Sequence, residues 1–151
     1  MEQQTSLPSA LCRILVARGV SPDDVEMFLS PALRDLLPDP MTLLDMEPAA
    51  ERLIAAVERG EKIAVFADYD VDGGSSAALL LDWLRQLGRD ATLYVPDRID
   101  EGYGPNEPAM AELAAQHDLI ICVDCGTLSF DAIAAAKGAD VVILDHHLGA
   151  E

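Results

Sequence analysis

The chain has 151 residues, half of them hydrophobic and a quarter charged, with three cysteines and a formal net charge of −17. This length suffices for one α/β domain with an extension. The sequence has no apolar run near the roughly 18 residues of a bilayer span and no secretory leader. We therefore expect a cytoplasmic protein with reduced thiols and no membrane partner. The negative charge argues against a broad basic surface for nucleic acid, although divalent cations held by clustered carboxylates reverse the sign locally.

The first third of the chain has the character of a small helical extension. Residues 1–47 combine prolines with short apolar runs, and Ser21-Pro22-Asp23-Asp24 is a clear helix start, with a capping residue, a first-turn proline and two acids. We expect the main domain over residues 48–151. It should open with a helix over 49–59 that Gly60 terminates.

Short strand-like runs then alternate with helical stretches. The predicted strands cover 62–67, 91–95, 119–123 and 141–144, and the predicted helices cover 75–87, 107–116 and 129–137. This alternation predicts an α/β fold, a Rossmann-like parallel sheet with helices on both faces. Ligands of such folds bind beyond the carboxyl ends of the strands.

Three of the four predicted strands run directly into an aspartate, namely Asp68, Asp124 and Asp145. The carboxyl ends of parallel strands meet at one edge of a sheet, so these three carboxylates should lie close together. The first strand continues through Asp70 to Asp72, and if that stretch stays extended, its period of two directs all three of its carboxylates the same way.

Two histidines, His146 and His147, directly follow Asp145. Adjacent residues on an extended segment point in opposite directions, so one histidine could ligate a metal while the other contacts substrate or packs in the core.

Carboxylates crowded in this way indicate a cation site. Their repulsion and lost hydration cost several kcal/mol unless protons or cations compensate. Mixed Asp and His ligands suit Mn²⁺, Mg²⁺ or Zn²⁺, and a central Asp124 could bridge two ions, which together would activate a water and stabilise a departing oxygen. A helix cap or turn explains any single aspartate. The whole set with the histidine pair favours a two-metal site.

Two further segments at the same edge could contact substrate. The first opens the predicted helix, where backbone N–H groups and hydroxyls could hold a phosphate at Gly73, Ser75 and Ser76; ordinary turn and cap chemistry explains it about equally well. The second segment comprises Arg98, Gly102, Tyr103 and Gly104. It could clamp a phosphate or stack a base, and a solvated loop is the alternative.

The spacing of Cys122 and Cys125 is that of half a zinc site or of a redox pair. However, Cys122 lies inside an apolar strand run, and the sequence has no second C-x-x-C pair. We therefore expect a buried Cys122 and a Cys125 beside the site.

Three sequence motifs carry a resemblance to a known family. Asp68-Tyr-Asp-Val-Asp-Gly73, Val123-Asp-Cys-Gly126 and Asp145-His-His147 resemble, in order and spacing, the first three motifs of the DHH phosphoesterase superfamily. Arg98 with Glu101-Gly-Tyr-Gly104, together with the upstream segments 36–40 and 43–46, is similar to the RecJ branch. The resemblance covers nearly the whole chain.

The resemblance implies a Mn²⁺- or Mg²⁺-dependent, 5′-to-3′ exonuclease for single-stranded DNA in repair and recombination, with single-strand-binding protein and a repair helicase as partners of the full-length protein. By the same resemblance, Asp68, Asp70, Asp72, Asp124 and His146 are metal ligands. His147 would act on the substrate side, and Asp145 would orient the histidines.

The family's fourth motif, another metal-binding aspartate, normally lies beyond the point at which this sequence stops. The resemblance therefore implies a domain truncated at its C-terminal end, and a chain that binds metal weakly and has little or no nuclease activity.

Three alternatives stay open from the sequence. The chain could be another member of the superfamily, such as an oligoribonuclease or a hydrolase of cyclic dinucleotides or pyrophosphate. The segment 66–73 also resembles haloacid-dehalogenase phosphatases with an aspartyl nucleophile, although Asp-His-His has no role there. A non-catalytic binding module that holds a structural ion is the third alternative, and the negative charge suits it.

Overall fold

The computed structural model describes residues 2–149, and the chain divides between residues 44 and 45 into two compact units. The smaller unit is helical over its described residues. Its α-helices are α1 (Glu2–Thr5), α2 (Ser9–Ala17), α3 (Val25–Leu29) and α4 (Leu33–Leu36), with 3₁₀ turns at Pro22–Asp24 and Pro40–Thr42. The helix start predicted at Ser21 is present, but the Ser21 hydroxyl donates to Asp24 Oδ2 (2.6 Å) and caps no backbone N–H.

The larger unit alternates helices and strands as the sequence predicted. Its helices are α5 (Met46–Arg59), α6 (Val71–Gln86), α7 (Glu107–Ala114) and α8 (Phe130–Ala135), and its strands are β1 (Ile63–Ala67), β2 (Ala91–Tyr94), β3 (Leu119–Val123) and β4 (Asp140–Leu144). Each strand lies within one residue of its predicted bounds. Helix α5 begins three residues earlier than predicted and ends at Arg59, and the left-handed backbone of Gly60 directly after it (φ 70°) is the expected stop.

The strands form one parallel sheet in the order β2-β1-β3-β4. In this register Ala67 pairs with Val123, and Val123 pairs with Leu144. The residue that follows each of these three is an aspartate. The register therefore brings Asp68, Asp124 and Asp145 to the same level at the carboxyl edge of the sheet.

Helices cover both faces of the sheet, which confirms the predicted fold class. On β1, Ala64 and Phe66 belong to a buried cluster that includes residues of α7 and α8. Val65 and Ala67, which point the other way, belong to a second cluster that includes residues of α5 and α6. Strands β1 and β3 are buried along their whole length, as central strands of a parallel sheet should be.

No helix among residues 2–149 is both long enough and apolar enough to cross a membrane.

Candidate metal centre

Asp68 directly follows β1 and is almost fully buried, with 2% of its surface exposed. Its N–H still donates to the Val123 carbonyl oxygen (3.4 Å), so the sheet ladder extends to this residue. Its Oδ1 atom is buried and has no hydrogen-bond partner among the described residues. A buried carboxylate oxygen without a donor is costly, so this atom is well suited to a bound cation.

Asp70 caps the helix that follows β1. Its Oδ1 accepts from the backbone N–H groups of Asp72 (2.9 Å) and Gly73 (3.1 Å), and α6 begins at Val71. The extended stretch considered for residues 68–72 is therefore wrong, as is the predicted helix start at residue 75. The physical reason is the cap, because a side chain that satisfies two free N–H groups starts the helix at once.

The hydrogen bonds from Gly73 and then Asp72 also hold the pKa of Asp70 below its ordinary value. Asp72 itself lies exposed in the first turn of α6.

Gly73 is required by close packing. A Cβ atom there would lie 2.3 Å from the backbone oxygen of Asp68, closer than any real contact. Its N–H donates a hydrogen bond to Asp70 Oδ1 within the chain. Ser75 and Ser76 lie further into α6, the first exposed and the second half-buried. In this structure Gly73 joins the start of α6 to the end of β1.

Asp124 follows the central strand β3 and has 6% of its surface exposed. Its backbone is left-handed (φ 60°), which is uncommon for a residue other than glycine and clusters at functional sites. Its N–H donates to the Leu144 carbonyl oxygen (2.9 Å), and its own carbonyl oxygen accepts from the Tyr103 hydroxyl (3.1 Å). These bonds to both sides hold the residue in this conformation.

Asp145 organises the residues after β4. Its Oδ1 accepts from the backbone N–H groups of His146 (2.8 Å) and His147 (3.2 Å) and lies 2.7 Å from His147 Nδ1. Its Oδ2 accepts from the Thr127 hydroxyl (2.6 Å) and N–H (3.1 Å). Burial alone would raise the pKa of Asp145, but the bonds from Thr127 and His147 hold it well below its ordinary value. No sequence pattern pointed to Thr127.

The two histidines lie on the same side of the chain. Their ring centroids are 4.8 Å apart, and His146 Nε2 is 3.0 Å from Asp124 Oδ1. The expectation that they point in opposite directions is wrong, because β4 ends at Leu144 and the chain bends at His147, so the alternation of a strand is lost. The Asp145 carboxylate raises the pKa of His147.

These side chains form two groups that could each hold a cation. Within each group, one ligand atom per residue lies within 4.8 Å of the others; the groups are Asp68, Asp70 and Asp124, and Asp124, His146 and His147. Asp124 belongs to both, in the central position that the sequence predicted. Burial and the charge of nearby Asp70 raise the pKa of Asp124. Asp72 is in neither group.

The loop between β2 and α7 is anchored by Glu101. This carboxylate accepts from the Tyr94 hydroxyl (2.5 Å), the Asp97 N–H (2.8 Å) and the Asn106 amide (3.1 Å). Tyr94 in turn stacks on Phe66 of the core, with ring centroids 5.2 Å apart. The bond to Glu101 raises the pKa of Tyr94 to about 12 and lowers that of Glu101. The loop is thereby fixed to the sheet.

The same loop brings Tyr103 to His147 and Arg98 to the ring of Tyr69. The Tyr103 hydroxyl is 3.4 Å from both ring nitrogens of His147, and burial and the charge of Asp68 raise its pKa to about 12. Gly102 (φ 84°) and Gly104 (φ 71°) supply the left-handed backbone of the turn around it. Both glycines thus have a structural reason for being there.

Tyr69 is a site residue that sequence reasoning missed. It is half-buried between Asp68 and Asp70, with the Arg98 guanidinium 5.4 Å from its ring centroid and the Tyr103 ring edge-on to it at 6.4 Å. The signal was its place inside the first acidic motif.

Cys122 and Cys125 are both buried in the core cluster that includes α7 and α8. Neither belongs to a possible ligand group among the described residues. Burial raises the pKa of both thiols. Cys122 is buried, as expected, and Cys125, which was expected beside the site, directly follows Asp124.

The donor set fits a divalent cation that prefers oxygen and imidazole ligands. Two groups share a carboxylate, and one of the carboxylates, Asp68, has a buried oxygen with no other partner. Oxygen-rich sets with one or two imidazoles suit Mn²⁺ and Mg²⁺.

The family model described as the DHH family, N-terminal domain, matches residues 62–151 of this chain. The single-stranded-DNA-specific exonuclease RecJ of Bacillus subtilis is 36% identical over 151 residues, which cover 97% of this chain and 19% of the relative. RecJ of Haemophilus influenzae is 39% identical over 128 residues, 82% of this chain and 22% of that relative. The chain thus spans about a fifth of the length of these relatives.

Solved structures of RecJ are also similar. An exonuclease RecJ bound to manganese matches with a TM-score of 0.63 and 34% identity over 69% of this chain and 28% of that chain. RecJ of Thermus thermophilus in complex with Mn²⁺ matches with a TM-score of 0.66 and 26% identity over 96% of this chain and 22% of that chain.

Proposed function

Because the chain belongs to the DHH family, we propose that it carries the metal-binding part of a RecJ-type exonuclease, which hydrolyses single-stranded DNA from the 5′ end. The observation that carries this proposal is the pair of ligand groups that share Asp124, next to the unpartnered Oδ1 of Asp68. The similarity to RecJ exonucleases over nearly the whole chain supports the substrate class. RecJ structures that hold Mn²⁺ and Mg²⁺ support the choice of metal.

In this proposal Asp68, Asp70 and Asp124 hold one cation, and Asp124 with His146 takes part in holding a second. Bound Mn²⁺ or Mg²⁺ would lower the pKa of the attacking water and offset the negative charge that develops on the phosphate. Asp72, whose charge contributes to the raised pKa of Asp124, stays a candidate ligand.

Asp145 positions the histidines and is not itself a ligand in this proposal, since both of its oxygens accept hydrogen bonds within the chain. A proton on His147 Nδ1, donated to Asp145, leaves Nε2 with a lone pair towards the substrate side. We assign His147 the substrate contact at the reacting phosphate.

Substrate contacts are assigned to the loop between β2 and α7. Arg98 offers a guanidinium to a phosphate, and Tyr103 offers an exposed ring to a base. The chain has a net charge of −17, so we propose that most of the DNA-binding affinity comes from the part of the relatives that this chain does not span. Ser75 and Ser76, in the second turn of α6, are assigned a weaker contact.

We further propose that residues 48–151 are the front part of the DHH domain and that residues 1–47 are a helical extension to it. Since the chain spans about a fifth of its relatives, we propose that alone it digests DNA slowly or not at all. A role in DNA repair and recombination, with single-strand-binding protein and a repair helicase as partners, is proposed on the family resemblance alone.

The test is digestion of a 5′-labelled, single-stranded oligonucleotide with Mn²⁺, with short RNA, a cyclic dinucleotide and pyrophosphate assayed in parallel. We expect slow release of labelled mononucleotide that Asp124→Ala abolishes, or no release. Rapid digestion would overturn the weak activity proposed for the chain alone. Preferential hydrolysis of RNA, cyclic dinucleotide or pyrophosphate would overturn the substrate class.

A further inference from the structure

Tyr69 lies where two parts of the site meet. It stands between Asp68 and Asp70, and its ring contacts two residues of the loop between β2 and α7. The Arg98 guanidinium carbon is 5.4 Å from the ring centroid, within the range of a cation–π contact. The Tyr103 ring meets the Tyr69 ring edge-on, with centroids 6.4 Å apart and an angle of 85°. Arg98 and Tyr103, the two proposed substrate contacts of this loop, therefore both contact Tyr69.

Arg98 is held by an aromatic ring and not by a carboxylate. The site is rich in carboxylates, yet within residues 2–149 Arg98 forms neither a salt bridge nor a hydrogen bond. An aromatic face attracts a guanidinium without using its N–H groups, whereas a carboxylate would occupy two of them and neutralise its charge. Held by Tyr69, Arg98 keeps all five N–H donors for a ligand.

The rest of the loop does not position Arg98 directly. Glu101 fixes the base of the loop through Tyr94 and Asn106, while Arg98 is exposed at its surface. A long, exposed arginine would otherwise sample many rotamers, and its ordering would cost free energy when a phosphate binds.

We propose that Tyr69, which stands between Asp68 and Asp70 in the chain, is a positioning residue that holds the Arg98 guanidinium over its ring, with the N–H donors of Arg98 free for a phosphate of the substrate. This inference rests on the proposed function, because it takes Arg98 as a phosphate contact. It adds a role for a residue whose side chain offers no ligand to the metal.

The test begins with the wild-type chain, by NMR of the Arg98 Nε–Hε group and of the Tyr69 ring. The contact predicts an upfield ring-current shift of the Arg98 side-chain protons, cross-relaxation between them and the Tyr69 ring, and restricted motion of Nε–Hε. Absence of these signals in the wild-type chain would overturn the proposal, whatever the variants do.

Variants then connect the contact to binding. Inorganic phosphate is titrated in the presence of Mg²⁺ into wild type, Tyr69→Phe, Tyr69→Leu and Arg98→Ala, with Arg85→Ala on the exposed surface of α6 as the charge control. We expect Tyr69→Phe and Arg85→Ala to retain phosphate affinity. Tyr69→Leu should lose the Arg98 ring-current shift and bind phosphate about two- to five-fold more weakly, as expected for an exposed cation–π contact. Its Mg²⁺ affinity should be unchanged.

The outcomes separate this inference from the proposed function. If Arg98→Ala weakens phosphate binding but Tyr69→Leu does not, the role of Tyr69 is refuted and the phosphate contact stands. If neither substitution matters, or phosphate leaves the Arg98 signal of the wild type unchanged, both the phosphate contact and the role of Tyr69 are refuted. A loss of Mg²⁺ affinity in Tyr69→Leu would show that Tyr69 acts on the carboxylates and would overturn the proposal.

Discussion

Replacing Asp68 with asparagine should stabilise the metal-free protein and weaken its response to metal. Asp68 and Asp124 are both nearly buried, and their ligand atoms lie within 4.8 Å of each other. Two charges at that distance repel by about 3–4 kcal/mol at an effective dielectric constant of about 20. The nearby ring of His146 offsets part of this repulsion at Asp124, so we expect Asp68→Asn to gain about 1–3 kcal/mol in the absence of metal.

The assay is thermal unfolding in EDTA and in excess Mn²⁺. At this chain length 1 kcal/mol corresponds to roughly 2–4 °C, so Asp68→Asn should melt several degrees above wild type in EDTA. A cation at one hundred times its Kd would stabilise wild type by about 2.7 kcal/mol, and the variant should gain much less. Asp90→Asn, which changes an exposed acid just before β2 at the opposite edge of the sheet, should change little. A variant that melts below wild type in EDTA and gains as much from Mn²⁺ would refute the reasoning.

Three further predictions follow from the packing and the charges. Gly73→Ala places a Cβ 2.3 Å from the Asp68 backbone oxygen and should destabilise the protein by about 1–3 kcal/mol or more. Gly74→Ala, where the Cβ meets open space, should stabilise it by about 0.5–1 kcal/mol. Urea unfolding of both variants measures the difference, and equal effects would contradict the prediction. The pKa of Tyr94 is raised to about 12 in the folded protein. Its contribution to stability is therefore present below the unfolded-state pKa of about 10 and is lost as the pH rises towards 12. Urea unfolding from pH 9 to 12 should show a smaller loss of stability in Tyr94→Phe than in wild type, and an equal loss would count against the hydrogen bond to Glu101. Glu101→Ala should release the loop and mobilise the Tyr103 ring, measurable by NMR, with Mn²⁺ affinity largely kept; an immobile ring would rule out the anchoring role.

Much of the sheet could be predicted because its signals are local. The buried runs that became β1 and β3 are continuous apolar segments, and each of the strands β1, β3 and β4 runs into an aspartate. In a parallel sheet that pattern fixes the edge at which the carboxylates meet. The prediction of a cation site followed from that edge, without knowledge of any contact.

The details that failed depend on side-chain bonds that periodicity does not encode. The early start of α6 comes from the Asp70 cap, and the common direction of the histidines comes from a bend after β4. Thr127 and Tyr69 act through contacts with Asp145 and Arg98, which are distant in sequence. Contacts of this kind are set by the tertiary arrangement and leave no pattern in a single sequence.

The central claim is that Asp124 joins two groups of ligands around divalent cations. The most direct measurement is Mn²⁺ titration followed by electron paramagnetic resonance of the free ion, with wild type, Asp124→Ala and the control Asp90→Ala. We expect Mn²⁺ binding by wild type and Asp90→Ala, and a loss of at least about tenfold in Asp124→Ala, because even residues that only support a metal ligand typically contribute about tenfold or more to metal affinity. Equal binding by Asp124→Ala and wild type would contradict it.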